Sequence, residues 1–133
     1  EILIGLVGSE MCIRDRDLTN QRLVFYQKGT PIVDTPIVSG NPDIEGCGTP
    51  TGCYALDAKE SPAVLTGEDY EANVTYWMPF AGNVGIHDAS WRSEFGGNLY
   101  LWEGSHGCVN VPYDKAAEIY ANIEVGMPVV VYE

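Results

Sequence analysis

The sequence predicts a mainly β domain, mostly antiparallel, with one α-helix near the C-terminus at about residues 113–123. Three observations predict it. Short runs rich in β-branched and aromatic residues recur between breaks of Gly, Pro, Asn and Asp. Only one stretch, Asp114 to Ile123, shows helical spacing. The chain has 133 residues, 45% of them hydrophobic and 20% charged, which suits one compact domain with a real core.

In chain order, Ile2 to Val7 is apolar but short, and Glu10-Met11-Cys12-Ile13-Arg14-Asp15-Arg16 resembles the translation of a transposase mosaic-end adapter used in sequencing libraries. Residues 1–16 are therefore read as a non-native leader, with native sequence from about Asp17. Any native signal, anchor or neighbouring domain would lie upstream. Gln21 to Tyr26 reads as a strand, Lys28-Gly29 as a turn and Thr30 to Ser39 as a second strand broken by Pro31 and Pro36. Gly40 to Asp43 and Thr49 to Gly52 read as loops, followed by the strand-like Cys53 to Leu56. Val74 to Phe80 reads as a strand closed by proline, and Val84 to His87 is an apolar run that delivers a histidine at its end. In the helix, Ala116, Ile119, Tyr120 and Ile123 fall at i, i+3, i+4 and i+7, with Pro112 near the start and Gly126 and Pro128 beyond the end. Val129 to Tyr132 reads as a final buried strand.

Formal net charge is −12, from 19 acidic and 7 basic residues. That argues against nucleic acid as a partner, because phosphate binding needs clustered Lys and Arg. No apolar run approaches the ~18 residues of a membrane span.

The chemistry concentrates in Ser105-His106-Gly107-Cys108-Val109-Asn110. At an ordinary pKa near ~8.5 a cysteine is only slightly ionised at neutral pH, so a nucleophilic one needs a base or a positive field. The chain has two histidines: His106, two residues before Cys108, and His87, 21 positions before it (108 − 87). Histidine suits proton transfer near neutral pH. In a strand, residues i and i+2 share a face, so His106 and Cys108 could line one cleft. Gly107 permits a tight turn that could aim N–H groups at an oxyanion. The alternative is that Cys108 is a buried structural thiol.

His87, a 17-residue gap and the block Ser105 to Asn110 resemble the signature of YkuD-type L,D-transpeptidase catalytic domains. Asp17 to Leu23, Thr35 to Gly40, Thr49 to Gly52, Gly85 to Ala89 and Trp91 to Gly96 also look like family blocks, so the resemblance covers residues 17–133 almost entirely. It implies YkuD-type β-sandwich or barrel-like sheets and a peptidoglycan cross-linking enzyme outside the bacterial plasma membrane. Cys108 would attack a tetrapeptide stem and expel its terminal D-alanine, and a second stem's amine would resolve the acyl-enzyme. His87 would be the base, oriented through a backbone carbonyl at the Asp88 position. The N–H groups of His106, Gly107 and Cys108 would form the oxyanion hole. Ser105, His106 and Asn110 would hold the loop and polarise the site, with Ser105 and Asn110 close to substrate. His106 as a plain structural hydrogen bonder stays open. Tyr76, Met78 and Trp91 would line the substrate cleft or pack in the core. Arg92 would bind a substrate carboxylate or make a structural ion pair. No metal or cofactor is implied.

Cys47 and Cys53 stand outside the signature. The short loop between them could bring the thiols within bonding distance, and a wall location would favour a disulfide, with two unbonded thiols as the alternative. A sortase is disfavoured because no arginine follows Cys108. An L,D-carboxypeptidase would share every residue named, and an inactive peptidoglycan-binding module is the reading from another class.

Overall fold

The computed structural model describes residues 2–4, 21–27, 30–66, 71–105 and 107–131. It is mainly β. Among the described residues, ten strands and two helices follow in the order β1 (Ile2–Ile4), β2 (Arg22–Gln27), β3 (Thr30–Pro36), β4 (Gly52–Ala55), β5 (Ala63–Thr66), β6 (Glu71–Val74), β7 (Trp77–Ala81), β8 (Val84–Asp88), α1 (Leu99–Glu103), β9 (Val109–Val111), α2 (Tyr113–Asn122) and β10 (Pro128–Val131).

The large sheet has the order β3-β2-β1-β10-β4. The β2–β3 pair is antiparallel, with a bulge between Phe25 and Tyr26. β3 lies at the sheet edge, which explains why Pro31 and Pro36 sit inside the strand instead of breaking it: an edge strand leaves N–H positions that need no ladder partner. β1 pairs parallel with β2 and antiparallel with β10, so three residues of the segment read as a leader form a middle strand of this sheet. Residues 5–20, including Cys12, Arg14 and Arg16, lie outside the described residues, as does the Lys28-Gly29 turn.

A second sheet, β7-β8-β9, pairs β8 with β7 antiparallel and with β9 parallel. Leu23, Phe25, Val129 and Val131 from the large sheet meet Met78, Phe80, Ile86 and Val109 from the small one, with Ala116, Ile119 and Ile123 of α2 closing the core. The alternation of Leu23 with Phe25 and of Val129 with Val131 turns these pairs to one face. Helix α2 packs on β8 and β3, and its i, i+3 stripe of Ala116 and Ile119 is fully buried. Lys59 Nζ donates to the carbonyls of Tyr120 and Ile123 at 2.6 and 2.9 Å, satisfying acceptors that the helix end exposes. The β5–β6 hairpin forms a separate two-stranded sheet.

Two sequence expectations are corrected here. The single helix becomes two, because α1 is five residues long and too short to show a periodicity. The strand expected over Val74 to Phe80 is split by a corner at Thr75–Tyr76, and Pro79 lies inside β7 at an irregular register instead of ending it.

Candidate active site

The parallel β8–β9 ladder sets the site. Its register pairs Ile86 with Val109, His87 with Asn110 and Asp88 with Val111. Opposed residues in a parallel pair share a face and successive residues alternate. Ile86 and Val109 therefore enter the core, while His87 and Asn110 face the other way, and Cys108, one residue before Val109, faces with them. His87, Cys108, Asn110, Ser105, Trp91 and Arg92 line one cleft of about 480 Å³. Leu65, Glu71, Ala72 and Asn73 of the β5–β6 hairpin form its facing wall.

Glycines let these elements approach. A Cβ on Gly85 would lie 2.6 Å from Pro79 Cα and 2.7 Å from the Met78 carbonyl oxygen, so only glycine lets β7 and β8 pair here. Gly107 has φ of 126°, a region that side chains disfavour. Thr49 fastens that turn: its hydroxyl donates to Gly107 O at 2.6 Å and accepts from Gly40 N at 2.9 Å. Val38 and Asn110 exchange backbone bonds of 3.0 and 2.8 Å, and Ser105 N donates to Ser39 O at 3.1 Å, so residues 38–40 form a rail beneath the Cys108 loop. The Ser105 hydroxyl donates to the Cys108 carbonyl and accepts from Gly107 N at 3.2 Å, closing the turn from within.

His87 is buried and its Nδ1 lies 2.8 Å from the Asp88 carbonyl oxygen. That acceptor makes Nδ1 the protonated nitrogen and leaves the lone pair on Nε2. Rings flank the imidazole, Trp77 at 6.0 Å and Trp91 at 5.8 Å between centroids. Burial pulls the His87 pKa down, the Asp88 carbonyl and carboxylate push it back up, and the Arg92 charge lowers it further, with a net lowering. The imidazole is thus neutral, the form a general base requires. Cys108 Sγ lies 3.5 Å from the Asn83 carbonyl, to which it donates. Burial pushes its thiol pKa up, and the Gly85 main chain, bonding the sulfur, opposes that. Both shifts favour the uncharged forms of the two groups.

The Asp88 carboxylate has a separate part. It accepts from Thr75 N at 2.9 Å and from Tyr76 N at 2.7 Å, pinning the corner between β6 and β7. With the Asn110 amide oxygen facing Arg92, that oxygen accepts from Nε at 2.8 Å and NH2 at 3.2 Å, and Nδ2 donates to His87 Nε2 at 3.1 Å.

The family model of the L,D-transpeptidase catalytic domain, YkuD, matches residues 15–131. This chain belongs to the YkuD L,D-transpeptidase family. Among solved structures, the crystal structure of a cysteine-to-serine mutant of Enterococcus faecium L,D-transpeptidase is 41% identical, with a TM-score of 0.81 over 87% of this chain and 47% of that one. The chain therefore spans about half the length of that relative. The catalytic domain of the E. faecium enzyme acylated by ertapenem is also 41% identical, with a TM-score of 0.77 over 89% of this chain and 94% of that one. L,D-transpeptidase from Mycobacterium smegmatis shares the fold at 23% identity and TM-score 0.74, over 100% of this chain and 59% of that one. No curated protein matches.

In this family member the structure brings together His87, Cys108, Ser105, Asn110, Trp91 and Arg92 from the sequence-expected set. His106 lies outside the described residues. Four expectations change. Met78 is fully buried in the core and lines no cleft, because β7 turns it inward opposite Ile86. Tyr76 stacks on Tyr113 and Tyr120, with centroids 5.7 and 5.0 Å away, so it packs against α2 instead of lining the cleft. Cys47 and Cys53 form no disulfide: Cys47 is a free thiol in the turn beside Gly40, while Cys53 is held in β4 opposite Val130. The N–H of Gly107, expected in the oxyanion hole, is engaged by Ser105 Oγ. Sequence reading passed over Trp77 and Thr49 as site residues. Pairing the Val74 to Phe80 and Val84 to His87 runs as a hairpin would have set Trp77 opposite His87, as observed. Thr49 was visible only as part of a loop block. Among the described residues no cluster of His, Cys, Asp and Glu could hold a metal ion.

Proposed function

We propose that this domain is a peptidoglycan L,D-transpeptidase working outside the bacterial plasma membrane through a Cys108 acyl-enzyme. The observation that carries the reading is the tautomer of His87: Nδ1 is tied to the Asp88 carbonyl, which leaves the lone pair on Nε2, and the ring lines the same cleft as the Cys108 sulfur. In the first half-reaction Nε2 takes the thiol proton and the sulfur bonds to the stem-peptide carbonyl carbon preceding D-alanine. The C–N bond then breaks, and D-alanine leaves with the proton from His87. In the second half, His87 takes a proton from the diamino-acid amine of another stem as that nitrogen bonds to the acyl carbon. The thioester C–S bond breaks and the sulfur regains its proton. The N–H of Cys108, with that of His106, stabilises the oxyanion. The catalytic domain of the E. faecium relative is acylated by ertapenem, which supports reading this domain as one that accepts acyl donors.

Intact mass spectrometry with a carbapenem tests the first half. One adduct on the parent and none on Cys108→Ala is the expected result, and an adduct retained on Cys108→Ala would refute the nucleophile. Incubation with stem tetrapeptides tests the second half. Cross-linked dimer with released D-alanine is expected, whereas tripeptide alone would make the enzyme an L,D-carboxypeptidase.

A further inference from the structure

Both nitrogens of the His87 ring are engaged in this structure. Nδ1 lies 2.8 Å from the Asp88 carbonyl oxygen. A neutral imidazole then has one lone pair, on Nε2. The buried Asn110 amide fills it, donating at 3.1 Å, while its oxygen is gripped by Arg92 Nε at 2.8 Å and NH2 at 3.2 Å. A base whose lone pair is occupied cannot accept a thiol proton. Ring orientation does not require this bond, because the Asp88 carbonyl and the Trp77 and Trp91 rings already fix the imidazole. Arg92 in turn lines the cleft and an adjoining cavity of about 330 Å³, where a ligand can reach it.

We propose that Arg92 and Asn110 are positioning residues that form a latch on His87, released when a carboxylate on the substrate engages Arg92. A guanidinium binds a carboxylate through two parallel bonds between opposite full charges, whereas the amide oxygen that holds it here carries no net charge, so the carboxylate is the stronger partner. The carboxylate therefore draws Arg92 off Asn110. The amide loses its anchor and turns away from Nε2, and the base becomes available to the Cys108 thiol. Reactivity is coupled in this way to the arrival of an anionic substrate. The inference rests on the reading of Cys108 as nucleophile and His87 as base.

Alkylation of Cys108 tests it on the whole chain, followed at that residue by peptide mapping. Iodoacetamide is the neutral probe and iodoacetate the anionic one, each normalised to its rate with a short cysteine peptide. In both, the sulfur–carbon bond forms, iodide leaves and the thiol proton passes to Nε2. Asn110→Ala raises the iodoacetamide rate about five-fold, the worth of one net hydrogen bond. Arg92→Gln raises it similarly and lowers the iodoacetate-to-iodoacetamide ratio. Arg92→Lys keeps the charge but loses the two-pronged grip, so it raises the iodoacetamide rate while retaining the ratio, and it carries the test should Arg92→Gln fail to fold. An iodoacetamide rate that is unchanged or lower in Asn110→Ala overturns the latch. A ratio unmoved in Arg92→Gln overturns the carboxylate trigger. Failure of the underlying reading shows elsewhere, as a Cys108 alkylation rate indifferent to His87→Ala, so the two failures are distinguishable.

Discussion

Replacing Thr49 by valine tests how the Cys108 loop is held. The substitution keeps the volume and removes one hydroxyl. That hydroxyl donates to Gly107 O at 2.6 Å and accepts from Gly40 N at 2.9 Å, and Thr49 and both glycines are buried. Water cannot readily replace either bond: a Cβ built on Gly40 would lie 1.6 Å from the Cys47 carbonyl oxygen and 2.9 Å from Gly107 Cα, so the two segments leave no gap. Each stranded buried group costs about 1–3 kcal/mol, which gives roughly 2–5 kcal/mol for the pair after partial relaxation. Thr49→Ser is the control, since it keeps both bonds and loses one methyl worth about 1 kcal/mol. Urea denaturation followed by linear extrapolation measures the stability change. Carbapenem acylation of the folded fraction measures the loop, and it should fall in the valine variant and hold in the serine variant. A Thr49→Val protein within 0.5 kcal/mol of the parent, on the scale of ordinary surface substitutions, would refute the argument that this hydroxyl fastens the turn.

Further outcomes follow from the same geometry. His87→Ala should lower carbapenem acylation at least ~100-fold, the lower range for a positioned base, and near-normal rates would move the base role to His106. His87 is buried with a lowered pKa, so the unfolded chain binds its proton more readily than the folded one. Stability should therefore fall as pH drops below about 6.5, the pKa of an exposed histidine, and His87→Gln should flatten that slope in denaturation series at several pH values. Ile119→Ala empties a fully buried position on α2 and should cost about 2–5 kcal/mol by urea denaturation. Its acylation rate per folded molecule should stay near the parent's, because Ile119 lines no part of the cleft.

What the sequence made legible follows from the range of the interactions. Helix α2 could be read because Ala116, Ile119 and Ile123 repeat locally at helical spacing and all three are buried. The β2–β3 hairpin could be read because its strands are separated by two residues. The β8–β9 pairing could not, since parallel partners lie far apart in the chain and nothing local sets Asn110 opposite His87. Met78 and Tyr76 were misplaced for a related reason. Which face of β7 is inward depends on its register with β8, and that register shifts between Pro79 and Ala81. The Cys47–Cys53 proposal rested on loop length and an oxidising location, whereas pairing of β4 with β10 fixes Cys53 to a sheet that Cys47 does not join. Cys108 and His87, the proposed nucleophile and base, could be singled out because their signature is a pattern of residue types, independent of which strands carry them, and the structure places both in one cleft.

The electrostatics of the cleft favour proton transfer on demand over a standing ion pair. A thiolate–imidazolium pair would place two charges where burial raises the thiol pKa and lowers that of the imidazole. Both shifts oppose charge, and the nearby guanidinium adds to the penalty on a protonated His87. Neutral partners avoid desolvating two ions. In the proposed mechanism the sulfur becomes strongly nucleophilic only when an acyl donor fills the cleft and its carbonyl begins to accept charge. Under this account the rate of Cys108 alkylation by iodoacetamide should climb as pH rises, through a thiol pKa above the ordinary value. A plateau already reached near pH 6 would mean a thiolate preformed in the resting enzyme, and the neutral-pair mechanism would have to be abandoned.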